Sequence, residues 1–324
     1  MSETIVEVKD LCQFFPVRSS IGKKGYIHAV DHVSLKLMSG ETFGLVGESG
    51  CGKSTLGRTI LRLYRPTSGK IFYNGNDITN ANMKTYRRKM QMIFQDPSAS
   101  LNPRMTIGQI IEEPLKNYHL FSEPMKRKKR VFELLNQVGL NKDQIDRYPH
   151  EFSGGQQQRV GIARTLAVEP EFIVCDEPIS ALDVSIQSQI INMLEEMQEK
   201  RNLTYLFIAH DISVVRHISH HIGVMFLGQI VEMAKSNELV KNPLHPYTQI
   251  LMSSVPIPDP DLAKNKKRII LDGELPSPID PSPGCRFVTR CPYVEECNGR
   301  CKEETPELRE ITSGHFVACF KCQE

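Results

Sequence analysis

Residues 41–69 read "ETFGLVGESGCGKSTLGRTILRLYRPTSG". An apolar run at 42–46 precedes glycines at 47, 50 and 52, and a helical pattern follows toward Pro66. Gly47–Thr55 fits G-x-x-x-x-G-K-[ST] in the context that motif requires, after a strand and at the head of a helix. Glycines let the backbone curl so that its N–H groups face a phosphate chain. The helix directs its positive N-terminus at the same anion. Gly47, Glu48, Ser49, Gly50, Cys51, Gly52, Lys53, Ser54 and Thr55 are therefore candidate nucleotide contacts. Lys53 brings a full charge to the β- and γ-phosphates, and the Ser54 hydroxyl suits Mg²⁺.

Further along, "FIVCDEP" at 172–178 and "TYLFIAHD" at 204–211 are short apolar strands that stop at polar residues. Helical patterns lie between them, as in "SIQSQIINMLEEMQEK". This alternation predicts an α/β fold with a parallel sheet. Residues 1–95 read as short strands and turns, and 97–165 as mostly helical. Asp176 and Glu177 close the first of the two apolar strands. Beside a phosphate loop, Asp176 suits Mg²⁺ through water, and Glu177 suits a general base for the attacking water. "FSGGQQQR" at 152–159 places Ser153, Gly154, Gly155 and Gln156 at the head of an amphipathic helix. That is a second phosphate-binding end in one chain. One chain rarely needs two such cradles, unless the second serves a nucleotide held by another subunit.

The bulk composition fits an ordinary globular protein, with 40% hydrophobic and 24% charged residues among 324. A net charge of +2 implies no strong polyelectrolyte partner. The start, "MSETIVEVKD", does not look like a secretory signal, and no apolar run approaches the length needed to cross a bilayer. The expectation is a soluble cytosolic protein. The basic run Lys126–Arg130 has no interleaved aromatic residue to stack on bases, so it reads as a solvated helix face rather than a nucleic-acid site.

In motif content and order, nearly the whole chain resembles the ATP-binding cassette ATPases. Ser153–Gln156 resembles that family's signature motif. Gln95, in "MIFQDP", matches its Q-loop glutamine, a contact for Mg²⁺ and water. Ser180–Asp183 resembles the D-loop, and His210 the switch histidine at the γ-phosphate. Phe15, in "CQFFPV", matches the aromatic that stacks on adenine, with Phe14 as the alternative. Phe152 stands where leucine is usual. The resemblance implies a RecA-like P-loop core with an antiparallel β-subdomain and a helical subdomain near 97–165. It further implies two subunits that sandwich two ATPs head to tail.

"NPLHPYTQILMSSVP" (242–256), "GELPSPIDPSPGCRF" and "GHFVACF" resemble the ATPases of oligopeptide and dipeptide importers, and "VGESGCGKSTLGR" and "SLNPRMTIGQIIEEPL" are most similar to the subunit lettered F. The shift to a Pro-rich, loop-rich texture from about Val255 predicts domains at 1–255 and 256–324, and the resemblance implies a peripheral place on the cytoplasmic face of the membrane. The implied partners are a second ATPase subunit, two permease subunits and an external peptide-binding protein. A nickel or other solute importer, or a soluble cassette ATPase without a transporter, is the alternative.

The last 40 residues hold six of the nine cysteines. In the cytosol disulfides are the least expected use for them. The resemblance implies a small loop-rich metal-binding module with a [4Fe–4S] cluster on Cys285, Cys291, Cys319 and either Cys301 or Cys297. The Cys297-x₃-Cys301 and Cys319-x₂-Cys322 pairs leave zinc open.

Overall fold

The computed structural model describes residues 3–18, 24–254, 276–297 and 299–323. The boundary expected at 255/256, and the Pro-rich stretch after it up to 275, lie outside the described residues. Twelve strands are formed among the described residues: β1 (Thr4–Arg18), β2 (Lys24–Met38), β3 (Thr42–Val46), β4 (Ser68–Tyr73), β5 (Asn76–Asp77), β6 (Met90–Ile93), β7 (Phe172–Asp176), β8 (Thr204–Ile208), β9 (His221–Phe226), β10 (Gln229–Lys235), β11 (Arg309–Thr312) and β12 (His315–Val317). The chain divides into two compact units. One comprises residues 1–5, 38–41 and 80–206, and the other 6–37, 42–79 and 207–324.

In the first unit β6 and β7 pair in parallel, with Met90 opposite Phe172 and Ile93 opposite Cys175. All five residues of β7 are buried. A strand covered on both faces reads as a continuous apolar run, which is why "FIVCD" carries no alternation. The helical stretch is as expected, with Ile107–Asn117, Pro124–Gln137 and Gly154–Leu166 as its main helices. Thr106 and Gln109 form a capping box at the head of the first. The basic run lies on the second, where Arg127 pairs with Glu112 at 2.9 Å and Arg130 with Glu169 at 3.1 Å.

The second unit holds an antiparallel sheet in the order β2-β1-β4-β5 and a mixed set of strands. There β3 pairs in parallel with β9, β9 antiparallel with β10, and β10 antiparallel with β12. β1 and β2 are 15 residues each, longer than the short strands the sequence suggests. Asp10 and His32 break the pattern. Both have left-handed backbones, with φ of 51° and 53°, and the β1–β4 register shifts between Lys9 and Cys12. A bulge of this kind scrambles the two-residue period without ending the strand. The helix after the phosphate loop stops at Ile60 rather than near Pro66, with Arg62 left-handed beyond it.

Candidate functional site: a phosphate loop, an acidic strand end and a second helix head

The phosphate loop connects β3 to the helix Lys53–Ile60. Gly52 is the N-cap, at φ 107°. A Cβ there would lie 1.9 Å from the Ala29 carbonyl oxygen, so only glycine fits. Lys53 is buried, and its ammonium donates to the carbonyls of Gly47 at 2.8 Å and Glu48 at 2.9 Å. The lysine therefore braces the loop from inside. Lys53→Ala removes both the brace and the cation, so equilibrium binding of a labelled ATP is expected to fall to near background. Unchanged affinity would mean that the loop is not the nucleotide site. Glu48, a candidate contact by sequence, is engaged elsewhere. Its N–H donates to Tyr247 Oη at 2.9 Å, and its carboxylate is paired with Arg290.

The aromatic candidates differ in freedom. Phe14 stacks on His28 with centroids 4.0 Å apart, whereas Phe15 and Tyr64 meet edge to face, at 5.4 Å. The Phe15 contact is thus not a parallel stack of the kind that Phe14 makes. His210 follows β8 and is exposed. Next to it, Asp211 accepts from the Ser213 N–H at 2.8 Å and caps the helix Ile212–Ile218.

In the first unit the acidic strand end is assembled. Asp176 is fully buried at the end of β7. Glu177 follows with φ 45°, a strained conformation for a residue with a side chain. Its Oε2 accepts from Gln95 Nε2 at 2.8 Å, so these two sequence candidates meet directly. Gln187 donates to the carbonyls of Ile179 and Leu182, fixing the Ser180–Asp183 turn.

The Gly154–Leu166 helix begins with a capping box. Ser153 Oγ accepts from the Gln156 N–H at 3.4 Å, and Gln156 Oε1 accepts from the Ser153 N–H at 3.0 Å. Ser153 and Gly154 are exposed, while Gly155 is buried so close to Ile186 that a Cβ would lie 2.5 Å from its Cγ2. Phe152 is buried, and its carbonyl accepts from Gln157 Nε2 at 3.0 Å, so the unusual side chain serves packing.

The tail belongs to the second unit. Buried Glu232 on β10 accepts from the N–H groups of Leu244 and His245 and is hydrogen-bonded to His315 of β12 at 2.7 Å. His245 Nδ1 accepts from the Tyr247 N–H at 3.1 Å, which requires a neutral ring. Burial holds the imidazole down at about 4, overriding the opposite pull of Glu232. The folded value lies below the unfolded one, so the unfolded chain takes up protons first as pH falls. Stability from this group is full above about 6.5 and is lost as pH falls toward 4. The loss should be about 2 kcal/mol by pH 5. Urea midpoints at pH 7 and pH 5 test this: the drop should be smaller in His245→Gln than in the unaltered chain. An equal drop would show that His245 does not carry the effect.

The phosphate loop of one unit and the acidic strand end and helix head of the other are parts that a nucleotide-binding ATPase cassette requires, and the comparisons agree. A family model described as ABC transporter matches residues 30–180, and one described as oligopeptide/dipeptide transporter, C-terminal region, matches 231–297. The oligopeptide transport ATP-binding protein AppF of Bacillus subtilis is 54% identical over 323 residues, covering 98% of this chain and 97% of the relative. OppF of Escherichia coli, with the same description, is 49% identical and covers 98% and 96%. The dimeric post-hydrolysis structure of the ATP-binding cassette MJ0796 with ADP and Pi superposes with a TM-score of 0.65. It is 30% identical and covers 72% of this chain and 99% of that one. The chain belongs to the ABC transporter family of ATP-binding cassette proteins. It is an ATPase that uses ATP and Mg²⁺.

The iron–sulfur expectation is corrected. The matched family is one of ATP-binding transport proteins, whose descriptions carry no iron–sulfur chemistry. The local geometry agrees. Cys285, Cys291, Cys297, Cys301 and Cys319 surround a cavity of only about 10 Å³, room for one water at most. Among the described residues only Cys12, Asp31 and His32 bring three metal-type donor atoms within 4.8 Å of one another, so the tail thiols form no preformed zinc site either. Instead Cys297 and Cys301 are buried with Phe320, and Cys285, Val288 and Val294 pack against them. Thiols used in this way behave as small hydrophobes. Burial pushes Cys285 up to about 12 and raises Cys291 and Cys301 as well, which keeps them neutral. Cys319, hydrogen-bonded by Cys322, is drawn down to about 7.

Proposed function

We propose that this chain is the ATP-hydrolysing subunit that drives peptide import through a membrane transporter. The carrying observation is the near full-length similarity to oligopeptide transport ATP-binding proteins, C-terminal region included. Residues 1–255 serve as the nucleotide-binding domain and 256–324 as an extension of it. Lys53 and the loop N–H groups other than that of Glu48 take the β- and γ-phosphates. Ser54, Gln95 and Asp176 serve Mg²⁺, the last through water. Glu177 draws the proton from the attacking water, and His210 contacts the γ-phosphate. Phe15 stacks on adenine. Its replacement by Ala should weaken ATP binding by about 1–3 kcal/mol, judged from base–aromatic stacking. If Phe14→Ala has that effect instead, Phe14 is the base platform.

Ser153, Gly154, Gly155 and Gln156 act on the nucleotide of a second, homologous ATPase subunit. Two such subunits sit at the cytoplasmic face against two permease subunits, and an external binding protein selects the peptide. Peripheral attachment suits a chain in which no described helix is long and apolar enough to cross a membrane. Deleting the gene and restoring it as wild type or Lys53→Ala tests the reading. Uptake of a labelled oligopeptide should return only with the wild type. Uptake of nickel that follows the gene, with peptide uptake unaffected, would replace peptide by metal as the cargo.

A further inference from the structure

Glu48, the second residue of the phosphate loop, has every polar group occupied by protein. Its carbonyl accepts from Lys53 Nζ, and its N–H donates to the Tyr247 hydroxyl. Its two carboxylate oxygens take Arg290 Nη1 at 3.2 and 3.0 Å. Tyr247 and Arg290 lie 199 and 242 residues away in sequence, in the His-Pro-Tyr segment and the cysteine-bearing tail. The Arg290 side chain is only 9% exposed, so water and salt screen the ion pair weakly.

Arg290 is held firmly on its own side. Phe287, three residues earlier, is buried against Phe226, Tyr247 and His245, with centroids 5.3, 5.5 and 5.8 Å apart. Arg286 forms a second ion pair, with buried Asp31 of β2. The tail backbone also joins β2, where the His28 N–H donates to the Pro278 carbonyl at 3.0 Å. The arginine therefore projects from a fixed platform onto the loop.

We infer that Arg290 and Tyr247 are positioning residues for the phosphate loop, so that the tail sets the affinity for ATP. The inference rests on the loop being the ATP site. Holding Glu48 from outside, while Lys53 braces it from inside, keeps the loop in one shape before nucleotide arrives. A loop already ordered loses less conformational freedom on binding. Coupling of this kind is reciprocal, so bound nucleotide should in turn tighten the tail around Arg290.

The test uses the full-length chain, with MgATP as ligand. Arg290→Ala and Glu48→Gln should each weaken ATP binding about two- to thirtyfold, the usual range for residues that couple sites without touching ligand. The double variant should be no weaker than the worse single one. Arg290→Lys should recover part of the affinity. In the assembled ATPase these variants should raise KM for ATP and leave kcat near wild type, a split that loss of folded protein does not produce. Alkylation of half-buried Cys291, mapped by mass spectrometry, should slow when MgATP is present, and Arg290→Ala should remove that protection. Glu48→Gln leaves the tail sequence intact, so its result stands even if Arg290→Ala misfolds. Wild-type affinity in both Glu48→Gln and Arg290→Lys, with Cys291 alkylation indifferent to MgATP, would overturn the inference alone. Failure of the unaltered chain to bind ATP would overturn the site assignment with it.

Discussion

Glu177→Gln is expected to lower ATP turnover by about 10²–10⁴-fold while ATP still binds. On the proposed assignment of Glu177 as base, the substitution removes the base and little else. An amide has the size of the carboxylate and can still accept from Gln95 Nε2, now 2.8 Å from Oε2. The backbone that aims the side chain is set by its φ of 45° and by the turn that follows, where the Ser180 hydroxyl donates to the Glu177 carbonyl at 3.2 Å. Neither feature depends on charge. Steady-state hydrolysis and equilibrium ATP binding, measured on the same preparation, separate the two effects. Normal hydrolysis in the variant would place the base elsewhere.

Gly154→Asp is expected to spare ATP binding to the isolated chain and to stop hydrolysis in the assembled complex. The fold accepts the change: a Cβ at Gly154 would meet nothing nearer than Leu182 Cδ2, at an ordinary 3.7 Å, and the site is exposed. The new carboxylate would face a phosphate at the helix head and repel it. Losing one preorganised donor of this type costs about 10²–10³ in rate, and an added negative charge more. Measuring ATP affinity of the lone subunit against turnover of the complex distinguishes the models. Loss of affinity in the lone subunit would put the helix head at the chain's own nucleotide.

The parts legible in the sequence are those whose chemistry is local. The phosphate loop announces itself because glycine spacing, lysine and hydroxyl all fall within nine residues. The strand β7 and the capped helix after Ser153 are similarly local, since a buried apolar run and a Ser-x-x-Gln box need only near neighbours. Nothing local couples Arg290 to Glu48. Their pairing depends on how the tail docks, and a single arginine in "VTRCP" carries no periodic signal. The tail cysteines misled for a related reason. The family resemblance implies a cluster and their spacing is partly compatible with one, but neither tells a ligand from a small apolar side chain. Phe320 and Val294, which turn Cys297 and Cys301 into a packed core, are positions that a cysteine pattern leaves unspecified.

The most direct test of the account is ATP-driven uptake of a labelled oligopeptide. The complete transporter would be placed in proteoliposomes with its ATPase subunits facing outward, and the peptide and its binding protein enclosed. ATP added outside should drive the peptide out of the lumen and be hydrolysed faster when peptide is present. With Glu177→Gln in this chain, both should fall toward background. Peptide movement that proceeds unchanged with Glu177→Gln, or hydrolysis indifferent to peptide, would contradict the assignment of this chain as the subunit that powers peptide import.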